Sequence, residues 1–310
     1  MILALTGPTG TGKSDWAAQA AATLPLEIVS VDSALVYRGL DIGTAKPPRE
    51  LRARTPHYLI DICEPTESYS AGRFVTDAMT SIKQIRAKGK VPILVGGTLL
   101  YLRALLRGIA DLPQASAELR QAIAERAARE GWAALHQELE RLDPQAAARI
   151  HPNDPQRIQR ALEVCYTTGR PISELQRATH SPLGNRPVQC WALVPTDRPG
   201  YRQRLASRFD EMMRSGFLAE VARLHARGDL TSEHSAIRAV GYRQLWSYLE
   251  GGCTLDEATG RAVTATRQLA KRQMTWLRAE PAMKHIDPQV PGAFEAWRRQ
   301  VQTALDQLGR

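Results

Sequence analysis

Short apolar runs alternate with helical patterns through the first third of the chain. The runs at 2–6, 26–32, 58–62 and 91–95 have the length and content of buried strands, and a further run follows at 188–194. Apolar positions spaced for helices fill 14–24, 70–88 and 98–107 between the early runs. Strands alternating with helices predict an α/β domain whose parallel sheet is covered on both faces.

Between about 112 and 187 the strand pattern stops. Ser116 stands ready to cap a helix in which Leu119, Ile123 and Ala127 recur every four residues, up to Gly131. Trp132, Leu135, Leu139 and Leu142 form the stripe of a second helix, which ends at Asp143-Pro144. Asp154 followed by Pro155 opens a third, running to about Thr168. The expectation is an all-helical insertion at 112–187 within a core built from 1–111 and 188–310. Long helices are expected in the returning core at 198–227, 235–250 and 254–279.

The chemistry is concentrated just after the first strand. Gly7, Pro8, Thr9, Gly10, Thr11, Gly12, Lys13 and Ser14 spell G-x-x-x-x-G-K-S between a strand and a helix, the context a phosphate-cradling loop requires. Its glycines let several N–H groups converge on one anion, and the following helix points its positive end there. Lys13 adds a mobile charge, and the Ser14 hydroxyl suits Mg2+. Such a loop holds a di- or triphosphate but does not say whether phosphoryl transfer, hydrolysis or displacement of a whole diphosphate follows.

Asp32 ends the second strand, where residues line the ligand crevice of a parallel sheet. It reads as a general base, as a residue behind a magnesium ion, or as a turn cap. Asp61 ends the next run, so position alone does not choose between them. Gly96-Gly97-Thr98 leaves the fourth strand, either touching phosphate or making a plain tight turn. Arg202, Arg204 and Arg208 offer a second clamp on a bound anion, or a solvated face.

Charge adds a partner. The 310 residues carry a formal net charge of +9, with ordinary hydrophobic (43%) and charged (24%) fractions for a globular chain. From 261 to 278 there are five basic residues (Arg261, Arg267, Lys271, Arg272, Arg278) and no acid. Interleaved with Gln273 and Trp276, they suit RNA as well as a solvated helix face. Arg157 and Arg160, with Gln156 and Gln159, pose the same alternatives. Histidines lack the paired spacing of a zinc site, the N-K-x-D guanine motif is missing, and the four cysteines fit no disulfide framework. No run is long enough to span a membrane, and a loop starting at residue 7 leaves no room for a signal peptide, so a cytoplasmic chain is expected.

Several strings point the same way together: GPTGTGKS (7–14), VDSALVYRGLDIGTAKP (31–47), PILVGGTLLYLRAL (92–105), HPNDPQRIQRALEV (151–164), AVGYRQLWSYLEG (239–251) and TRQLAKRQMTWLR (266–278). In these the chain resembles the bacterial tRNA dimethylallyltransferase (isopentenyltransferase) family. The resemblance implies a P-loop, nucleotide-kinase-like fold. It also implies transfer of a dimethylallyl group from dimethylallyl diphosphate to the exocyclic amine of the adenosine 3′ of the anticodon. By resemblance, Asp32 is the base, Thr98 and Arg208 stand by the diphosphate, and residues 7–14 hold it with Mg2+ on Ser14. Resemblance also assigns contacts with the tRNA anticodon stem-loop to Asp32, Ser33, Ala34, Leu35, Thr98, Arg120, Gln156, Arg157, Ile158, Gln159 and Arg160. In the later part of the chain it adds Arg238, Gly241, Tyr242, Arg243, Lys271, Arg272, Gln273, Trp276 and Arg278. A monomer is expected. The competing readings are a P-loop nucleoside or small-metabolite kinase and a nucleotide-switched RNA-binding protein.

Overall fold

In the computed structural model, which describes residues 1–176, 180–280 and 282–307, the chain forms two compact units. One joins residues 1–103 to 183–310, and the other spans 104–182. The second unit therefore starts inside a helix, at Ala104, rather than at 112, and ends at Pro182 rather than 187.

The elements in chain order are β1 (Ile2–Thr6), α1 (Lys13–Ala21), β2 (Leu26–Ser30), α2 (Arg49–Arg54), β3 (His57–Tyr58), α3 (Ala71–Ala87), β4 (Val91–Gly96) and α4 (Leu99–Arg107). There follow α5 (Ala117–Glu130), α6 (Trp132–Leu142), α7 (Pro144–Ala147), α8 (Pro155–Thr168) and α9 (Ile172–Leu175). The core resumes with β5 (Val188–Leu193), α10 (Arg198–Arg214), α11 (Phe217–His225), α12 (Tyr242–Leu249), α13 (Leu255–Arg278), β6 (Lys284–Ile286) and α14 (Ala293–Asp306).

All six strands are parallel, in the order β3-β2-β4-β1-β5-β6. Every residue of β1 is buried, as a central strand with both faces covered must be. Leu3, Leu5, Ile28, Ile93, Val95, Trp191 and Leu193 share one core with the small face of α1 and with Trp297 and Val301 of α14. Alanines 17, 18 and 20 let α1 lie close to the sheet, which sets the axis along which its N-terminus meets the phosphate loop. The expected phosphate-loop α/β core with a parallel sheet is thus observed.

The all-helical unit keeps its predicted caps. Ser116 Oγ accepts from Leu119 N at 3.2 Å, and Asp154 Oδ1 accepts from Arg157 N at 3.2 Å. Each such cap is worth about 1 kcal/mol. Asp143 caps α7 and also accepts from the N–H and hydroxyl of Ser173, at 2.8 and 2.7 Å. Ile123, Leu135, Leu139, Ile158 and Leu162 form this unit's own core.

Three expectations change. The 58–62 run is a strand only at His57–Tyr58. Leu59 and Asp61 take positive φ, and the N–H groups of residues 61–63 go to the carbonyls of Leu35 and Val36 instead of the sheet. The helix expected over 198–227 breaks at Ser215–Gly216 into α10 and α11. The one expected from 235 begins only at Tyr242, because residues 231–240 form turns that bury Ala236 and Ile237 without helical periodicity.

A buried carboxylate organises the loop that follows Asp32. Glu220, on α11, accepts from the backbone N–H of Asp41, Ile42 and Gly43 at 3.0, 2.7 and 3.2 Å, and from the Tyr242 hydroxyl at 2.5 Å. Four donors on one buried carboxylate compensate its desolvation. Lys46 extends the same loop, donating to the Tyr37 carbonyl and pairing with Asp41 and Asp61.

Candidate active site

The loop at 7–14 leaves β1 and folds over its own carbonyls. Lys13 Nζ donates to Pro8 O at 2.7 Å, and Thr11 Oγ1 donates to the same oxygen at 2.9 Å. Gly10 and Gly12 hold φ near 74° and 82°, left-handed values that a side chain would resist. Lys13 is half-buried, and its ammonium turns back onto the loop at the Pro8 carbonyl. Burial pulls its pKa down to about 8, Asp32 pulls it up, and Arg208 adds to the fall. A lysine this easily deprotonated is one that gains by meeting an anion.

Thr9 is gripped from two helices. Arg208 Nη1 donates to its hydroxyl at 3.1 Å, and the Tyr201 hydroxyl donates to its carbonyl at 2.5 Å, both from α10. From α13, Gln273 Oε1 accepts from Thr9 N at 3.0 Å. Burial lowers the Arg208 pKa, while Tyr201, Asp32 and Asp15 raise it. Of the three arginines on α10 considered as a clamp, Arg208 reaches the loop, whereas Arg202 and Arg204 are exposed.

The Asp32 carboxylate lies close enough to this cradle for its charge to act on both Lys13 and Arg208. Oδ1 accepts from the N–H groups of Ala34 and Leu35, at 2.8 and 3.2 Å, so the turn fixes the carboxylate. Oδ2 takes no hydrogen bond from the described residues. The turn-cap reading of Asp32 is therefore half of the picture, with one oxygen structural and the other open. Asp61 is committed elsewhere, to Lys46 at 2.5 Å and Arg52 at 2.8 Å. Burial raises its pKa, but those two hydrogen bonds outweigh burial and hold it below the usual carboxylate value.

Thr98 joins the same cluster. Its Oγ1 accepts from Ser33 N at 3.0 Å, next to Asp32, while its own N–H donates to Val31 O at 3.1 Å. The preceding glycines permit this approach: a Cβ at 96 would stand 2.0 Å from the Val31 carbonyl oxygen, and one at 97 only 2.6 Å from Gln273 Nε2.

The expected RNA contacts divide by exposure. Ser33, Arg238, Arg243, Lys271, Arg272 and Arg278 are exposed in the first unit, with Ala34, Leu35 and Trp276 half-buried. Arg120, Gln156 and Arg157 are exposed in the second unit, with Gln159 and Arg160 half-buried. Arg160 also donates to the carbonyls of Leu112 and Pro113. Ile158, Gly241 and Tyr242 are buried and do not face solvent. A Cβ at Gly241 would stand 2.8 Å from the Phe217 ring, and Tyr242 is spent on Glu220, so these two serve packing. Gln273 is likewise buried against the loop instead of lying on the outer face of α13. Spacing gave no sign of Tyr201 or Glu220, because neither belongs to a motif whose pattern betrays its partner.

A cavity of ≈ 650 Å³ opens between α12 and α13, bordered by Arg243, Arg261 and Gln268, and does not include the phosphate loop. Lys13, Arg208 and the Asp32 charge converge instead at the phosphate loop.

Ser14 Oγ is exposed at the start of α1 and takes no hydrogen bond from the described residues. No cluster of three or more His, Cys, Asp or Glu suited to a metal occurs among the described residues. A hydroxyl beside a phosphate cradle fits magnesium, which keeps much of its shell from water and phosphate oxygens. No helix of the described residues is long and apolar enough to cross a membrane.

Comparison with known proteins yields a consistent set. The family model described as IPP transferase matches residues 35–280. The chain is 52% identical over 305 residues to the tRNA dimethylallyltransferase of Methylococcus capsulatus, covering 98% of this chain and 97% of that one. It is 54% identical over 279 residues to that of Alkalilimnicola ehrlichii, covering 90% and 88%. Among solved structures, a tRNA isopentenylpyrophosphate transferase from Bacillus halodurans aligns with TM-score 0.70 and 33% identity, over 99% of this chain and 97% of that one. A eukaryotic dimethylallyltransferase captured acting on tRNA aligns with TM-score 0.81 and 28% identity, over 99% and 79%.

Proposed function

This chain belongs to the IPP transferase family, and from that premise we propose that Asp32 and the phosphate cradle act as one catalytic centre. The protein is a tRNA dimethylallyltransferase. Its target is the exocyclic amine of the adenosine immediately 3′ of the anticodon. The observation that carries the centre is the open Oδ2 of Asp32, held by a turn within electrostatic reach of Lys13 and Arg208.

The adenine amine is a weak nucleophile because its lone pair is delocalised into the ring. As that pair forms the new bond to C1 of the dimethylallyl group, the C1–O bond breaks and diphosphate departs with the electrons. The amine proton passes to the Asp32 carboxylate. An allylic carbon tolerates positive charge, so stabilising the departing anion matters most. Residues 10–14 offer N–H donors for it, with Lys13 and Arg208 supplying full charges and Thr98 bordering the reacting end. Ser14 would hold magnesium, which supplies further charge neutralisation on the diphosphate. The base must leave the anticodon stack to enter, at a cost of a few kcal/mol, about the price of unstacking.

Incubation of purified protein with labelled dimethylallyl diphosphate and unmodified tRNA should place the label on RNA without ATP consumption. ATP turnover with unlabelled RNA would favour the kinase reading instead. Lys271 and Arg272 are exposed on α13 and point to phosphate contacts. The double variant Lys271→Ala/Arg272→Ala should weaken tRNA binding and reduce the slope of log affinity against log salt by about 1.5. An unchanged slope in a binding titration across salt concentrations would remove this helix from the RNA surface.

A further inference from the structure

We propose that Gln273 is a positioning residue that couples RNA docking on α13 to the geometry of the diphosphate cradle. The proposal rests on the prenyl-transfer reading above. Gln273 sits within the basic stretch of α13, between exposed Arg272 and half-buried Met274, yet only 8% of it is exposed. Its amide spans two functional loops. Oε1 accepts from Thr9 N at 3.0 Å, and Nε2 donates to Gly97 O at 2.8 Å. Thr9 belongs to the phosphate loop, and Gly97 immediately precedes Thr98, whose hydroxyl accepts from Ser33 N beside Asp32. One side chain therefore ties together the anion cradle, the Thr98 turn and the helix whose outer face carries Lys271, Arg272 and Arg278.

The fit is specific for a carboxamide. A carboxylate keeps the acceptor for Thr9 N but turns a second acceptor towards the Gly97 carbonyl, and a thioether loses both bonds. The glycine at 97 is part of the device, since a Cβ there would collide with the Gln273 amide. Met274 packs on the cluster of Tyr201, Leu205 and Ala270, and Tyr201 and Arg208 hold the other atoms of Thr9. A small shift of α13 under RNA is thus transmitted to Thr9 from two directions.

Coupling of this kind is reciprocal: whatever tRNA does to diphosphate affinity, diphosphate does to tRNA affinity. The test measures tRNA binding to the full-length protein with and without saturating inorganic diphosphate and Mg2+. Wild type should bind tRNA at least about fivefold more tightly with diphosphate present. In Gln273→Met the ratio should fall to near one, although each ligand alone still binds, and Gln273→Glu should lie between. Thermal unfolding of each variant separates loss of coupling from loss of fold, and the Glu variant keeps the test open if the Met variant does not fold. A wild-type ratio of one, or an undiminished ratio in either folded variant, overturns the proposal. Label transfer by the wild-type protein checks the underlying reading separately, so the two can fail independently.

Discussion

Replacing Asp32 with alanine should lower prenyl transfer to tRNA by about 10²–10⁴-fold, the span expected when a positioned general base is lost. Affinity for tRNA should change little, because the oxygen that meets the amine is not an RNA anchor. The variant also removes the cap on the N–H groups of Ala34 and Leu35, so Asp32→Asn is the cleaner comparison. Asparagine retains a carbonyl acceptor for the turn but cannot take the proton. Single-turnover rates with labelled dimethylallyl diphosphate should drop in both variants. Asp61→Asn provides the contrast, since Asp61 is bound to Lys46 and Arg52 and its loss should register in thermal stability. Turnover that survives Asp32→Asn would disprove the role of the carboxylate as base.

Lys13→Met should cost about 10²–10³-fold in kcat, comparable to removing one donor aimed at developing negative charge. The methionine keeps the stem and removes the ammonium, so the loop loses its charge with little change in volume. The wild-type protein also makes a pH prediction. Without ligand, Lys13 gives up its proton as pH rises through about 8, below the 10.5 of a free lysine. A diphosphate favours the protonated form, so its apparent affinity should decline from pH 8 upwards in the wild type. In Lys13→Met that segment should be flat. The linkage with stability has the opposite sign. The ligand-free fold is penalised while the ammonium is charged, and it gains stability between about 8 and 10.5 as the proton leaves. Calorimetric titration with inorganic diphosphate across this range, together with melting curves of the free protein, measures both trends.

The sheet was legible where strands are buried on both faces, because a fully covered strand has to be apolar throughout. β6 went unread since Lys284 and His285 are exposed and only three residues enter the ladder. α14 escaped although Trp297, Val301, Ala304 and Leu305 carry the helical spacing that would have revealed it. Helices with side-chain caps were placed closely, as at Ser116, Asp154 and Thr254, since the cap is a local signal. The helix expected from 235 starts late because turns, as at Ala236 and Ile237, can bury apolar residues as well as helices do.

For the site, motif spacing located the cradle, Asp32 and Thr98, all of which lie at strand exits. It did not distinguish side chains that face RNA from those that hold the scaffold. Tyr242 and Ile158 stand in the same strings as exposed arginines, and only burial separates them. The choice between Asp32 and Asp61 likewise required the partners of each to be visible.

The knot at Glu220 has a consequence for how such chains are recognised. It binds the D-I-G-T-A-K-P stretch to the G-Y-R stretch, so these two strings record an architectural joint more than the reaction. A homologue that kept both strings but had drifted at position 32 would still be gathered into the group while being unable to modify anything. Sorting working members from silent ones calls for inspecting the carboxylate at the strand exit, not the signature around it.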